Sequence, residues 1–157
     1  MKILGVDPGT ATTGYGVIES NRGKLHAVEY GCIRTSKHNS LPERLSEIYS
    51  DLQKLIKKHR PQTMAVESVY FYNNVKTAIA VAQARGVVLL CGRQNNIPVR
   101  EFTPLQVKSS MTSYGKAEKK QVQFMVKTLL GLKSIPKPDD AADALALAIC
   151  AVNNLIA

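Results

Sequence analysis

Four acidic residues occupy positions that ordinary surface carboxylates do not. Asp7 closes the apolar run Ile3–Val6 just before the breaker Pro8-Gly9, and Glu67 closes the short run Thr63-Met64-Ala65-Val66. Asp143 lies inside Ala141-Ala142-Asp143-Ala144-Leu145-Ala146-Leu147-Ala148-Ile149, where nearly every neighbour is apolar. A helix of that composition is expected to be buried, and an unpaired buried carboxylate is costly, so Asp143 needs a lysine, an arginine or a metal ion beside it. Asp140, three residues earlier, shares its helix face. Asp139 follows Pro138 and fits a helix N-cap. Taken singly, Asp7 also fits an Asx turn and Glu67 a plain strand-end charge. Gathered together, the acids form an oxygen-only donor set, which suits Mg²⁺ or Mn²⁺ rather than zinc. Without metal they would repel one another and their pKa values would rise. With two divalent ions about 3.5–4 Å apart, they could hold an attacking water and the leaving oxygen of a phosphodiester.

The elements that must position these acids can be read from periodicity. Lys2–Asp7 is a short buried strand, Gly14–Ser20 a second, and Asn21-Arg22-Gly23 a hairpin turn into a third over Lys24–Thr35. Leu41–Arg60 changes period, with Leu41, Leu45, Ile48, Leu52, Leu55 and Ile56 recurring at helical spacing behind Ser40 as N-cap and before Pro61. Thr63–Glu67 is a fourth strand. A long helix starts at Asn73 or Asn74 and runs to about Asn95, and Ile97–Phe102 is a fifth strand. Helices follow near Pro104–Thr112, Lys116–Leu130 and Asp139–Asn154. The expectation is an α/β chain with a five-stranded mixed sheet flanked by helices, in one domain over residues 1–157. A right-handed crossover through the first helix would lay the fourth strand parallel to the first. Asp7 and Glu67 would then face each other at the carboxyl edge of the sheet.

Lys and Arg number 21 against 12 Asp and Glu, a formal charge of +9. From Arg93 to Lys137 there are nine basic residues and only Glu101 and Glu118 against them. A surplus of one sign suits a surface that tracks phosphates. Acids for metal and bases for phosphate together point to a nuclease. Cys32, Cys91 and Cys150 show no paired spacing, so buried thiols in a reducing cytoplasm are expected. His26, His38 and His59 are scattered and receive no catalytic role. The apolar stretches around Val75–Gly92 and Ala141–Val152 contain Lys76, Gln83, Arg85 or Asp143, so no membrane span is expected, and the opening residues do not read as a signal peptide.

The segments ILGVDPGTATTGYGVI, AVESVYF, QARGVV and DDAADALALAI, in that order, resemble the RuvC-type Holliday-junction resolvases of the ribonuclease-H-like superfamily. The resemblance runs from Ile3 to about Ile149. It implies a ribonuclease-H-like fold, and Asp7, Glu67, Asp140 and Asp143 as catalytic, metal-binding carboxylates holding Mg²⁺, with two ions per site and Mn²⁺ able to substitute. It also implies a homodimer that acts on four-way junction DNA, nicks two strands of like polarity symmetrically and leaves 5′-phosphate and 3′-hydroxyl ends. A branch-migration motor complex is the implied partner. Among the consecutive aromatics Tyr70-Phe71-Tyr72, the resemblance favours Tyr70 as a ring stacking on an unpaired base, with Phe71 next. Of the lysines bracketing Ser113-Tyr114-Gly115, it singles out Lys108 and Lys119 as helpers near the scissile phosphate, with Lys116 and Lys120 as further DNA-binding candidates. A ribonuclease-H-like nuclease acting on RNA and a non-catalytic junction-binding module are the competing readings. A single actin-type phosphate loop is also present in form, at Val6–Thr10, but that architecture needs two lobes.

Overall fold

The computed structural model describes residues 1–68, 75–112 and 115–156. Its elements run β1 (Lys2–Asp7), β2 (Thr12–Asn21), β3 (Lys24–Arg34), α1 (Leu41–His59), β4 (Thr63–Glu67), α2 (Val75–Gln94), β5 (Val99–Phe102), α3 (Pro104–Thr112), α4 (Lys119–Leu129) and α5 (Asp139–Ile156). The five strands form one mixed sheet in the order β3-β2-β1-β4-β5. β1, β2 and β3 make the expected antiparallel meander, turning at Arg22 and Gly23, both of positive φ. β4 then pairs with β1 in parallel, Val6 opposite Val66, and β5 pairs with β4 in parallel.

Side chains alternate across the strands and so divide the core in two. Ile3, Ile18 and Ala65 face α3, α4 and α5, whereas Leu4, Val6, Val17, Met64 and Val66 face α1 and α2. α1 begins as its sequence demands: Glu43 Oε2 accepts from Ser40 N–H at 2.6 Å and from Ser40 Oγ at 2.7 Å. It ends at Arg60, which takes the left-handed conformation at φ 51 and donates N–H to the Ile56 carbonyl at 2.8 Å. α5 is nearly all buried, with Ala141 through Val152 at 2% exposure or less apart from Asp143.

Most element ends fall within two residues of the sequence reading, and three differences have a plain local cause. β5 starts at Val99 rather than Ile97, since Pro98 has no N–H to give the ladder and contributes only its carbonyl, to Met64 N–H at 2.9 Å. α4 starts at Lys119 rather than Lys116, because Gly115 and Lys116 form a turn and Glu118 caps the helix, its N–H bonded to Gln121 Oε1 at 2.8 Å. α5 starts at Asp139 as expected, but this makes Asp139 a first-turn residue and not the N-cap, and the Pro138 carbonyl accepts from Ala141 at 3.0 Å. The expected start of α2 at Asn73 or Asn74 lies outside the described residues.

By length and composition alone α2 could cross a membrane, with a mean hydropathy of 1.4 and only 22% of that window buried. Its place in the chain argues otherwise. It is the crossover between β4 and β5, parallel neighbours in one sheet, and it packs on α1.

Candidate active site

The crossover brings two of the acids together. Asp7 and Glu67 each end a strand, at the carboxyl edge, one position beyond the Val6–Val66 pair. Both share parity with Ile3 and Ala65, so both point to the α5 side of the sheet. α5 can reach them because the strands beneath it carry glycine where it crosses. A Cβ on Gly5 would lie 1.9 Å from the Ala144 carbonyl oxygen, and one on Gly14 only 2.1 Å from that of Asp140. The helix backbone therefore rests directly on β1 and β2, and its first turns deliver Asp140 and Asp143 to the sheet edge. Asp7, Asp140 and Asp143 each offer a carboxylate oxygen within 4.8 Å of the other two. Glu67 stands beside this triad, close enough for its charge to act on Asp7. The loop after Asp7 is pinned: Thr13 Oγ1 donates to the Gly9 carbonyl at 2.7 Å and Thr10 Oγ1 to the Ala80 carbonyl of α2 at 2.8 Å.

The electrostatics are those of crowded, desolvated acids. Burial, followed by the charges of Glu67, Asp143 and Asp140, pushes the Asp7 carboxyl from its usual 3.8 up to about 8. Burial raises Glu67, with Asp143 adding to it. Burial likewise raises Asp143, against the opposing pull of Lys119. The cation that Asp143 requires is thus present. Lys119 Nζ lies 3.3 Å from Asp143 Oδ2 and 3.5 Å from Asp139 Oδ2. Asp7, Asp140 and Asp143, sharing one narrow space through oxygen atoms with Glu67 beside them, fit a hard divalent cation.

The other candidate residues are spread around this cluster. Lys108, in α3, is half-buried and near enough to Glu67 for its charge to lower that carboxyl. Lys116 is exposed in the turn before α4. Lys120, one residue beyond Lys119 and therefore about 100° round the helix, borders a groove with Met111, Phe124 and Met125 instead of the acids. Tyr70 and Phe71 lie outside the described residues. Two neighbours of the site went unnoticed in the sequence. Cys32 is only half-buried, unlike Cys91 and Cys150, and its thiol is raised by burial and then by Asp140. Arg34 ends β3 opposite Thr12, exposed, and its charge acts on Cys32, lowering that thiol against the pull of burial and Asp140. Pairing the strands outward from the Asn21–Gly23 turn misplaces both, because a bulge between Val17 and Ile18 shifts the register by one residue and brings Cys32 opposite Gly14 and Arg34 opposite Thr12.

Residues 3–151 match the family model described as Crossover junction endodeoxyribonuclease RuvC. The chain belongs to this RuvC family. Curated relatives bearing that name are 54% identical in Fusobacterium nucleatum, over 99% of this chain and 82% of the relative, and 57% identical in Desulforamulus reducens, over 96% and 92%. A solved structure described as T. thermophilus RuvC in complex with Holliday junction substrate superposes with a TM-score of 0.94 at 33% identity, covering 99% of this chain and 94% of that one. The yeast mitochondrial Holliday junction resolvase Ydc2 superposes at 0.68 with 15% identity, a likeness of fold alone. The ribonuclease-H-like sheet expected from the sequence is therefore the fold of this RuvC-family chain, and the acid cluster lies at the carboxyl edge of that sheet.

Proposed function

We propose that this chain is a single-domain, Mg²⁺-dependent endodeoxyribonuclease that resolves four-way DNA junctions by nicking two strands of like polarity at symmetric points. The observation that carries the reading is the convergence of Asp7, Asp140 and Asp143 within 4.8 Å, with Glu67 at their side, in a chain of the RuvC family. The RuvC relative bound to a Holliday junction supports the choice of substrate. In this reading Asp7, Glu67, Asp140 and Asp143 hold the metal. Bound there, two Mg²⁺ ions, with Mn²⁺ able to substitute, would supply the Lewis acid for the leaving 3′ oxygen and lower the pKa of the attacking water. Lys119 and Lys108 flank the acids and offer positive charge to the scissile phosphate, with Arg34 on the other side. Lys116 and Lys120 extend the basic surface. Tyr70, with Phe71 as the alternative, stacks on an unpaired base. The products carry 5′-phosphate and 3′-hydroxyl ends that a ligase can seal.

A two-fold symmetric cut asks for a two-fold symmetric protein. The face of α2 supports a homodimer: Val75, Ile79 and Leu90 are all more than half exposed along one side of this apolar helix. A branch-migration motor as partner and a cytoplasmic location complete the proposal.

Cleavage of a labelled four-way junction in Mg²⁺, beside Ca²⁺ and beside Asp7→Asn, tests it. Paired symmetric nicks in Mg²⁺, with binding alone in the other two, are expected. Tight binding without cutting in Mg²⁺ or Mn²⁺, on junctions of varied sequence, would leave a junction-binding module; cutting of structured RNA in preference would move the substrate to RNA.

A further inference from the structure

Asp139 and Asp140 are adjacent in the first turn of α5, about 100° apart round the helix axis, and they face different partners. Asp140 turns to Asp7 and Asp143. Asp139 turns to α4. There Gln123, one of the few buried polar side chains at 7% exposure, donates Nε2–H to Asp139 Oδ1 at 3.1 Å. Lys137 Nζ lies 3.4 Å from the same oxygen. The second oxygen, Oδ2, stands 3.5 Å from Lys119 Nζ, whose other neighbour is Asp143 Oδ2 at 3.3 Å. Asp139 thus has one oxygen anchored by a buried amide and the other aimed at the lysine that borders the acid cluster.

Lys119 needs such an anchor. Its side chain is 55% exposed, so packing does not fix its ammonium. A flexible four-carbon stem leaves that charge many alternative positions. Asp143 alone is a poor tether, because it is also a candidate metal ligand: a cation bound there competes with the ammonium and repels it. Asp139 stands outside the ligand triad, so the metal does not compete for it.

We propose that Asp139, itself fixed by Gln123, is a positioning residue that holds the Lys119 ammonium at the rim of the acid cluster, where the scissile phosphodiester must arrive. The proposal rests on the nuclease reading and adds two residues to it. The direct interaction is between half-exposed groups, so its effect is modest and lies in placement: a charge held in one position meets the phosphate without a search through rotamers.

The test is a double-mutant cycle on single-turnover cutting of a four-way junction in Mg²⁺, at saturating protein, with junction affinity measured separately in Ca²⁺. Asp139→Asn and Gln123→Met are each expected to slow cutting by about twofold to fivefold, leaving affinity undiminished and the Mg²⁺ concentration for half-maximal rate unchanged. In a Lys119→Ala background neither substitution should cost anything further. The inference is overturned if Asp139→Asn slows cutting by the same factor with and without Lys119, if it raises the Mg²⁺ requirement as loss of a ligand does, or if it leaves the rate unchanged. If the unaltered chain cuts no junction, the nuclease reading falls and takes this inference with it. If it cuts and the two effects add, only the inference falls.

Discussion

Asp7 should weaken the metal-free fold that contains it. A carboxyl whose pKa is higher folded than unfolded binds its proton more tightly in the native state. It stabilises the fold while protonated, and that stability is lost as pH rises from the unfolded value towards the folded one. For Asp7 the window runs from its ordinary 3.8 to about 8. A shift of that size corresponds to a ceiling of about 6 kcal/mol. Local relaxation and water entry absorb part of it, so about 2–4 kcal/mol is the expected penalty at pH 8 in EDTA. Asp7→Asn removes the charge and keeps the shape. Urea unfolding in EDTA at pH 5 and pH 8 should show the variant more stable than the parent at pH 8, by that amount, with the gap shrinking to about a third at pH 5. In heat the same difference is about 4–16 °C in Tm. Mg²⁺ should raise the parent and leave the variant less changed, since the neutral amide is a weaker ligand for a hard cation. The variant should also lose junction cleavage. An Asp7→Asn protein no more stable than the parent at pH 8 in EDTA, or a gap that does not depend on pH, would refute the account of a repulsive, desolvated acid.

Three further outcomes follow from the geometry. Gly14→Ala puts a methyl 2.1 Å from the Asp140 carbonyl oxygen; α5 must shift, costing about 1–3 kcal/mol in denaturant unfolding, and Mg²⁺-dependent cutting should fall at least tenfold because Asp140 moves with the helix. Arg60→Gly relieves a side chain held at φ 51 at the end of α1 and should raise stability by about 0.5–1 kcal/mol without touching activity, read by thermal unfolding and the junction assay. Ile79→Glu with Leu90→Glu places charges on the exposed face of α2; sedimentation should show a folded monomer, and paired nicking should give way to single nicks, whereas an unchanged dimer would move the interface elsewhere.

The main frame was legible because each of its signals is local. The breaker Pro8-Gly9 ends β1 where Asp7 sits, the three-and-four spacing from Leu41 to Ile56 draws α1, and Pro61 stops it. The crossover rule then supplied the one long-range step, the parallel pairing of β1 with β4, and with it the meeting of Asp7 and Glu67. What escaped was decided by partners distant in sequence. Asp139 reads as a helix cap until Gln123 and Lys119, from another helix, are seen to hold it. Cys32 reads as a core thiol until its register with Gly14 brings it beside Asp140. The shorter β5 and α4 were in principle readable, since Pro98 lacks a donor and Gly115 opens a turn, but apolar periodicity outweighed both. The aromatic triplet Tyr70-Phe71-Tyr72 lies outside the described residues.

Gly5, Gly14 and the alanines of α5 belong to the site as much as the acids do. Four carboxylates in water would move apart. Here the separation of three of them is set by a contact between backbones, because Gly5 on β1 meets the helix at Ala144 and Ala148 and Gly14 on β2 meets it at Asp140. At Gly5 and Gly14 no side chain stands between the strand and the backbone of the helix that carries Asp140 and Asp143. The acids can relax only within their own short rotamers, so the burial that raises Asp7, and the repulsion that adds to it, cannot be relieved by drift of the scaffold. That rigidity makes the metal-free protein less stable than a neutral variant of the same shape. It also makes the site ready for a small, strongly charged cation, since the ligands need little rearrangement to receive it. The Ala-rich composition of α5, which in isolation reads as simple core packing, is what brings the helix close enough for the chemistry.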